Sequence, residues 1–453
     1  MSVILHLFIA ILSLIVLLLF DYVRKIQFYK HAAKIPGPKA LPIVGNALRF
    51  IGKDSSAAHD ILLDIAERYA SPCRLWLGNK LFVGIYEPEQ LKTLLTSPKS
   101  MEKASLCSLL RPWLGNSLLI APVPIWRAHR KLIQPAFNPQ TLRTFVHIFD
   151  KHSKSLVQKM EEELEGGEFQ VGSYMISYSL NVALESTMGI SETSDSKMYT
   201  RYTECVNRTM ELIMVRGLRL WLHPDIIFNL TKMSKEFYKC ITWMHTTAHS
   251  AYDTVAVSLQ YIMLMLASYP DVQEKLYQEL KHIYGKVIPE NLSVATEDLK
   301  KMKYTERVIQ ESMRLFPTVP FLTRKVVQDL EIGGYTLPQG STAFISVIKV
   351  HRDEKYWPDP LKFDPDRFLP EEVAKRNPNC YMPFSIGPRN CIGSTYAMME
   401  MKTVVAKILL KYVLKKEKIQ PILTIKQRVE IVAHPVEPIT IEIVKRLPNT
   451  FNT

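Results

Sequence analysis

A cysteine set between glycines, immediately ahead of an apolar-periodic helix, is the residue of this chain best placed to do chemistry. The segment Phe384-Ser385-Ile386-Gly387-Pro388-Arg389-Asn390-Cys391-Ile392-Gly393 leads into a helical pattern from Tyr396 to Tyr412. A thiolate at a helix N-terminus is stabilised by backbone N–H groups and the helix dipole, and it binds soft or electron-poor metal centres. Gly387 and Gly393 let backbone approach a large flat ligand without Cβ collisions. Taken alone, the loop is equally compatible with a plain buried cysteine. About eighty residues upstream, Glu311 and Arg314 stand at i and i+3 on one helix face, where carboxylate and guanidinium form a bidentate pair. Such spacings also abound on solvated helices. Trp126 and Arg130, at i and i+4, share a face in the same way, as a ligand pair or as part of a basic surface. Asp253-Thr254 is a polar pair in a helical pattern and by itself says little.

The elements that position these residues follow from composition and periodicity. With 453 residues, 47% apolar and 22% charged, the chain can bury a large core, which excludes a disordered tail or a disulfide-stapled mini-domain. Six cysteines (73, 107, 205, 240, 380 and 391) fall without a CxxC pair or regular spacing, against both a disulfide framework and a zinc finger. The net charge of +13 favours anionic membrane surfaces, acidic protein partners or nucleic acid without choosing among them. Val3 to Phe20 is uncharged and, at 1.5 Å per residue, ~27 Å long as a helix, close to the hydrocarbon thickness of a bilayer. It lacks the basic n-region and cleavage site of a signal peptide. Residues 1–20 are therefore read as a transmembrane anchor. Arg24, Lys25, Lys30 and Lys34 follow it, placing the rest of the chain in the reducing cytosol by the positive-inside rule. On that side the Asn-x-Ser/Thr matches at Asn207, Asn229 and Asn291 are chance. Residues 21–42 are a basic stretch and a stiff hinge (Ile35-Pro36-Gly37-Pro38-Lys39-Ala40-Leu41-Pro42), and 43–453 form one domain.

In that domain helices dominate, notably over 140–165 and 255–285, with strands as a minority. Residues 74–86 predict a small sheet, and 419–445 are strand-like. Residues 331–337 and 341–348 read as paired strands around Pro338-Gln339-Gly340. The fold class is mainly α with a smaller β part.

The decapeptide ending at Gly393 resembles, at every fixed position, the haem-ligand loop FxxGxRxCxG of the cytochrome P-450 superfamily, the haem-thiolate monooxygenases. The resemblance runs from anchor to C-terminus and is closest to the insect-like branch of the microsomal family-4 clan. It implies that Cys391 is the proximal ligand of a haem iron, where a thiolate favours O–O cleavage. Phe384 then packs over the thiolate side of the ring and Arg389 pairs with a haem propionate. It implies also that Arg367, in Phe363-Asp364-Pro365-Asp366-Arg367-Phe368, joins Glu311 and Arg314 in a buried structural triad. Trp126 and Arg130 resemble the WxxxR pair that holds a propionate, and Arg324 a further propionate ligand. Ser250-Ala251-Tyr252-Asp253-Thr254 occupies the place of (A/G)GxDT, so that Asp253 and Thr254 relay protons to dioxygen. Ala251 stands where glycine is usual. Ser250 replaces the glutamate that bonds covalently to haem in many family-4 members, so the expected cofactor is non-covalent haem b.

One departure is larger. Only 128 residues separate Trp126 from Thr254, fewer than the family pattern needs. The shortfall corresponds to helices roofing the substrate pocket and to the first half of the long distal helix, as in an incomplete gene model, a splice form or a diverging copy. Three functions compete: a monooxygenase, a peroxide-rearranging isomerase or dehydratase, and a non-enzymatic haem-binding remnant. Asp253 and Thr254 favour the first over the second; the short segment keeps the third open. For the first, the resemblance implies a membrane NADPH-dependent reductase, cytochrome b5 as a further partner, no nucleic acid, and the endoplasmic reticulum membrane as location. Arg127, Lys131 and Lys402 are candidates for reductase docking. Leu106, Leu109, Leu110, Val319 and Phe321 suggest an apolar pocket for a lipophilic substrate.

Overall fold

The computed structural model describes residues 2–189, 196–247, 253–285, 289, 292–429 and 431–446. In chain order the long helices are α1 (Ser2–Arg24), α2 (Val123–Ile133), α3 (Pro139–Lys159), α4 (Gly172–Met188) and α5 (Ser196–Leu218). They continue as α6 (Lys232–Thr247), α7 (Asp253–Ser268), α8 (Pro270–Tyr284), α9 (Lys303–Leu315) and α10 (Ser394–Lys411). In α1, Ile4, Leu5, Phe8, Ile9, Ile11 and Leu12 face outward. Among the described residues no single helix is by itself long and apolar enough to cross a membrane, the described apolar run of α1 being Ile4–Ser13.

The domain is organised around α7. Val257, Leu259, Ile262, Met263 and Leu266 are fully or nearly fully buried on all sides of this helix, the pattern of a helix enclosed by protein. It packs on α4 and α9, and the Tyr261 ring stacks on Phe316 at 4.5 Å, tying α7 to the end of α9. Tyr269-Pro270 separates α7 from α8, and the two axes bend by 106°. Proline cannot donate a backbone hydrogen bond within a helix, so the expected helical stretch 255–285 is two helices. Helix α10 lies along α3 and buries Val404, Val405, Ala406, Ile408 and Leu409 in the same core.

Four strands make the main sheet. β1 (Cys73–Leu77) and β2 (Lys80–Ile85), within the expected small sheet, form a hairpin around Gly78. A two-residue strand, β3, is Phe169–Gln170, and β4 is Phe321–Lys325. Next come β5 (Leu330–Ile332), β6 (Tyr335–Leu337) and β7 (Thr342–Ser346). The last are β8 (Tyr412–Lys415), β9 (Gln427–Val429), β10 (Ala433–Pro435) and β11 (Thr440–Lys445). The main sheet runs β1-β2-β7-β4, with β7 parallel to β2 and antiparallel to β4. The expected pairing of 331–337 with 341–348 does not form. β5 turns on Gly333-Gly334, both at positive φ, and pairs with β6, while β7 crosses into the main sheet. The glycine pair supplies a tight left-handed turn, which proline at position 338 cannot. The proline-rich hinge is pinned to this sheet: Arg74 N donates to Pro36 O at 2.7 Å, and the Arg74 guanidinium donates to Ala32 O and Ala33 O.

Two buried histidines make this fold acid-sensitive. His351 accepts from Met382 N–H at 2.9 Å and stacks on Tyr381; burial holds its pKa down at about 3. His59, beside Phe321, is held at about 4, again mainly by burial. Both titrate near 6.5 when unfolded, so between the two limits the unfolded chain binds more protons and stability falls as pH falls. Stability is complete above about pH 6.5 and is lost on acidification toward pH 4, by up to about 1.4 kcal/mol per pH unit for each histidine. Denaturation midpoints measured at pH 6 and 5 should show this slope, reduced by about half in His351→Gln.

Candidate active site

The Cys391 loop is shaped by backbone. Gly387 sits at φ +76° against β-sheet-side helix residues, where a Cβ would lie 2.2 Å from Leu95 O, so only glycine fits. Cys391 N donates to Phe384 O at 2.9 Å and Asn390 N to Gly387 O at 3.1 Å, closing the loop on itself. The Phe384 ring packs against the core formed by α3, α7 and α10, and the residue touches the cysteine through its carbonyl. Gly393 is the N-cap of α10, and its N–H donates to the Cys391 sulfur. The residue is exposed, yet its surroundings desolvate the thiol. Burial pushes its pKa above the ordinary thiol value, against the downward pull of Gly393 N–H and Arg130. The expected helix-terminus stabilisation is present, therefore, but desolvation exceeds it.

Cations converge beside this loop. Arg389 is 8% exposed, stacks on Trp126 at 4.4 Å and donates through Nη2 to Ala121 O, while its Nε and Nη1 are buried without a hydrogen-bond partner. Arg324, on β4, is 2% exposed and its one described hydrogen bond is to the adjacent Thr323 O. Burial, then Arg389, lower its pKa to about 10. Lys103 completes the group; burial, then Arg324, bring it down to about 7. Sequence reasoning missed Lys103, because a lone lysine in a polar segment carries no spacing signal. Trp126 and Arg130 both reach the Cys391 loop. Trp126 lies under Arg389, whereas Arg130 holds the loop by donating to Asn390 O at 2.9 Å and Asn390 Oδ1 at 3.1 Å.

Two unpartnered guanidinium nitrogens and three desolvated cations, with Glu102 the one carboxylate whose charge is felt at Arg389, favour a further anion here. A group with two carboxylates on a flat ring and a metal needing a soft ligand satisfies both the cations and the thiol, so the residues present fit haem. Arg324, Arg389 and Lys103 would hold the propionates and Cys391 the iron. Arg324→Gln should speed haem loss by about 10- to 100-fold, the effect of ~1.5–3 kcal/mol for a hydrogen bond to a charged group. Haem transfer to apomyoglobin measures it.

The triad is assembled, but unequally. Glu311 and Arg314 are fully buried and paired bidentately, Nε–Oε2 at 2.7 Å and Nη2–Oε1 at 2.8 Å. Arg314 also donates to His351 O and Pro360 O at 2.8 Å and lies over the Trp357 ring. Arg367 Nε is 3.5 Å from Glu311 Oε1, an ion pair without a hydrogen bond, and the nearer third donor is Asp364 N–H at 2.9 Å. The carboxylate is thus saturated by one guanidinium and a backbone amide, with the second guanidinium as an outer partner.

Asp253 opens α7 and Thr254 is exposed in its first turn. Ser250, Ala251 and Tyr252 lie outside the described residues. Ser258 Oγ donates to Thr254 O at 2.8 Å and is 2.6 Å from Thr318 Oγ1, a hydroxyl chain between α7 and the segment before β4 that spacing gave no sign of. Of the expected docking cations, Arg127 and Lys131 are exposed, but Lys402 is buried and bonded to Glu306 and Leu299 O. The apolar residues divide: Leu109 and Leu110 pack with α5 and α6, Leu106 with the sheet, and Phe321 against Phe344.

The glycine-bounded Cys391 loop with Arg389, Arg324 and Lys103 beside it, together with the buried Glu311–Arg314 pair, is the residue set of a haem-thiolate protein. Comparison with known proteins agrees. A sequence model of the family described as Cytochrome P450 matches residues 35–251 and 244–442. Cytochrome P450 4c21 of Blattella germanica is 30% identical over 94% of this chain and 96% of its own length. Cytochrome P450 4V2 of Homo sapiens is 30% identical over 86% of this chain and 85% of its own. Cytochrome P450 4c3 of Drosophila melanogaster is 28% identical over 88% and 87%. The chain belongs to the cytochrome P450 family, with family-4 relatives, and is a haem-dependent monooxygenase. The first alignment runs over 492 positions, more than the 453 residues present, so that relative carries segments this chain lacks. The two matched stretches meet at 244–251, between α6 and α7.

Proposed function

We propose that this chain inserts one oxygen atom of O2 into a lipophilic small molecule such as a fatty acid, terpenoid, odorant or foreign compound, with electrons from a membrane NADPH-dependent reductase. The balance is RH + O2 + 2 electrons + 2 protons to ROH + H2O. The observation that carries the reading is the Cys391 loop with Arg389, and with it the buried Arg324 and Lys103, whose charges no described carboxylate neutralises by a salt bridge. Bound there, haem b supplies the oxygen activation that no side chain of this chain can. The protein's own part is positioning and proton handling. Arg324 and Arg389 fix the carboxylate edge, and Gly393 N–H and Arg130 hold the loop that presents the sulfur. Asp253 and Thr254, at the start of α7, are the groups through which protons move to the reacting centre; Ser258, bonded to the Thr254 carbonyl and to the Thr318 hydroxyl, braces that turn. A peroxide-rearranging enzyme needs no such relay.

Val3 to Phe20, within the continuous helix Ser2–Arg24 of about 34 Å, supports an anchor in the endoplasmic reticulum membrane with the catalytic domain in the cytosol. Exposed Arg127 and Lys131 suit an acidic partner, the reductase or cytochrome b5. Ser250 in place of glutamate supports non-covalent haem, so acidified organic solvent should extract all of it. The decisive experiment reconstitutes the membrane-expressed chain with reductase and NADPH under 18O2 and a panel of lipophiles. One labelled oxygen in the product, dependent on NADPH, is expected. Stable haem-loaded protein that consumes peroxide substrates without NADPH would replace this reading.

A further inference from the structure

Two of the six cysteines face each other across the helix pair formed by α5 and α6. The chain reverses between these helices through residues 219–231, and two cross-helix contacts set their register. Arg201 lies over the Trp243 ring at 5.3 Å. Two turns along, Arg208 pairs bidentately with Glu236, Nε–Oε1 at 2.7 Å and Nη2–Oε2 at 2.8 Å. In an antiparallel pair each step forward on α5 is a step back on α6, so Cys205 falls opposite Cys240 between these two contacts. The two thiols are neighbours there, close enough for Cys205 to act on Cys240. Both residues are part-exposed, whereas Cys73 and Cys380 are buried, Cys107 contacts Thr323, and Cys391 belongs to the active site.

We propose that Cys205 and Cys240 are a redox modification site, forming a reversible disulfide between α5 and α6 on exposure to hydrogen peroxide. The neighbourhood suits the chemistry. Burial, with Cys205 alongside, pushes the Cys240 thiol up to about 11, and we take Cys205 as the thiol that meets peroxide. Its sulfur attacks one peroxide oxygen: the S–O bond forms, the O–O bond breaks, and the thiol proton leaves with the departing hydroxide as water. Sulfur has lost two electrons and peroxide has gained them. Cys240 then attacks the sulfenic sulfur of Cys205, the S–S bond forms, the S–O bond breaks, and the Cys240 proton leaves with hydroxide as a second water. A dithiol restores both cysteines by exchange. Bridging requires Cα atoms within about 7 Å, a spacing compatible with closely packed helices whose side chains already touch across the Arg208–Glu236 pair. The bridge closes the chain that carries the exposed Trp221, Ile226 and Leu230, restricting how far that segment moves from α5 and α6. The site involves no haem-contacting residue, so it stands or falls independently of the proposed reaction.

The test is peptide mapping of the full membrane-expressed chain after hydrogen peroxide, alkylation with N-ethylmaleimide and trypsin. Cleavage after Arg201, Arg208 and Lys239 leaves the two cysteines on separate peptides. The expected result is one linked peptide joining Cys205 to Cys240, loss of the maleimide adduct from both, and return of both adducts after dithiothreitol. In Cys205→Ser, Cys240 regains its adduct, and in Cys240→Ser, peroxide leaves a dimedone-trappable sulfenic acid on Cys205. Unchanged alkylation of both cysteines, a bridge between two chains, or separate oxidation of each without a linked peptide in the unmutated chain would overturn the assignment. Because the unmutated chain decides the outcome, a variant that fails to fold does not blunt the test.

Discussion

Cys391→Ser loses the red-shifted Soret band of the reduced carbon monoxide complex entirely, and monooxygenation falls by at least about 100-fold, beyond what loss of a supporting partner of a metal ligand produces. Serine is nearly isosteric, its oxygen can accept the Gly393 N–H that now reaches sulfur, and the loop bond from residue 391 N to Phe384 O is backbone. The variant therefore keeps its fold, and the loss is one of ligation. The sign of the metal-free pKa adds a second expectation. Desolvation holds the Cys391 thiol protonated, so forming the thiolate bond expels a proton and haem loading increases with pH. Difference spectra of membranes at matched expression, with circular dichroism as the control for folding, check both. A red-shifted band surviving in the serine variant would mean that another residue holds the iron.

Arg314→Ala costs about 3–5 kcal/mol of stability, the range for removing one partner of a buried pair. The change strands the Glu311 carboxylate with only Asp364 N–H and a distant Arg367, and leaves His351 O and Pro360 O without the donors that Arg314 supplies. Arg314→Lys restores charge without the fork, so it recovers only part of the loss. Arg367→Ala is milder, about 1–2 kcal/mol, since its contact to Glu311 is a 3.5 Å ion pair at a side chain 11% exposed. Thermal inactivation half-lives and haem content of the three variants test the order, Arg314→Ala worst and Arg367→Ala least affected. Equal effects of Arg314→Ala and Arg367→Ala would show that the triad acts as a symmetric unit.

What the sequence by itself determined were the features carried by local spacing or fixed chemistry. The Gly387–Cys391–Gly393 loop and the Glu311–Arg314 pair are readable because three or four residues along one turn fix which side chains meet. The helix-rich class follows from periodicity, and the shortened middle from a count of residues between Trp126 and Thr254. Tertiary structure decided whatever depends on residues distant in the chain. Lys103, Arg324 and Arg389 come from three separate segments, and only folding buries them close enough for their like charges to act on one another. Trp126 and Arg130 share a helix but serve different partners, because the loop above α2 brings Arg389 over one and Asn390 beside the other. Lys402 looks like a surface cation in sequence, yet α9 supplies Glu306 and buries it. β7 pairs with β2 from the far end of the chain, since burying both faces of a sheet outweighs the nearest available hairpin. Spacing specifies a turn of helix; which helix lies across from it depends on the packing of the whole core.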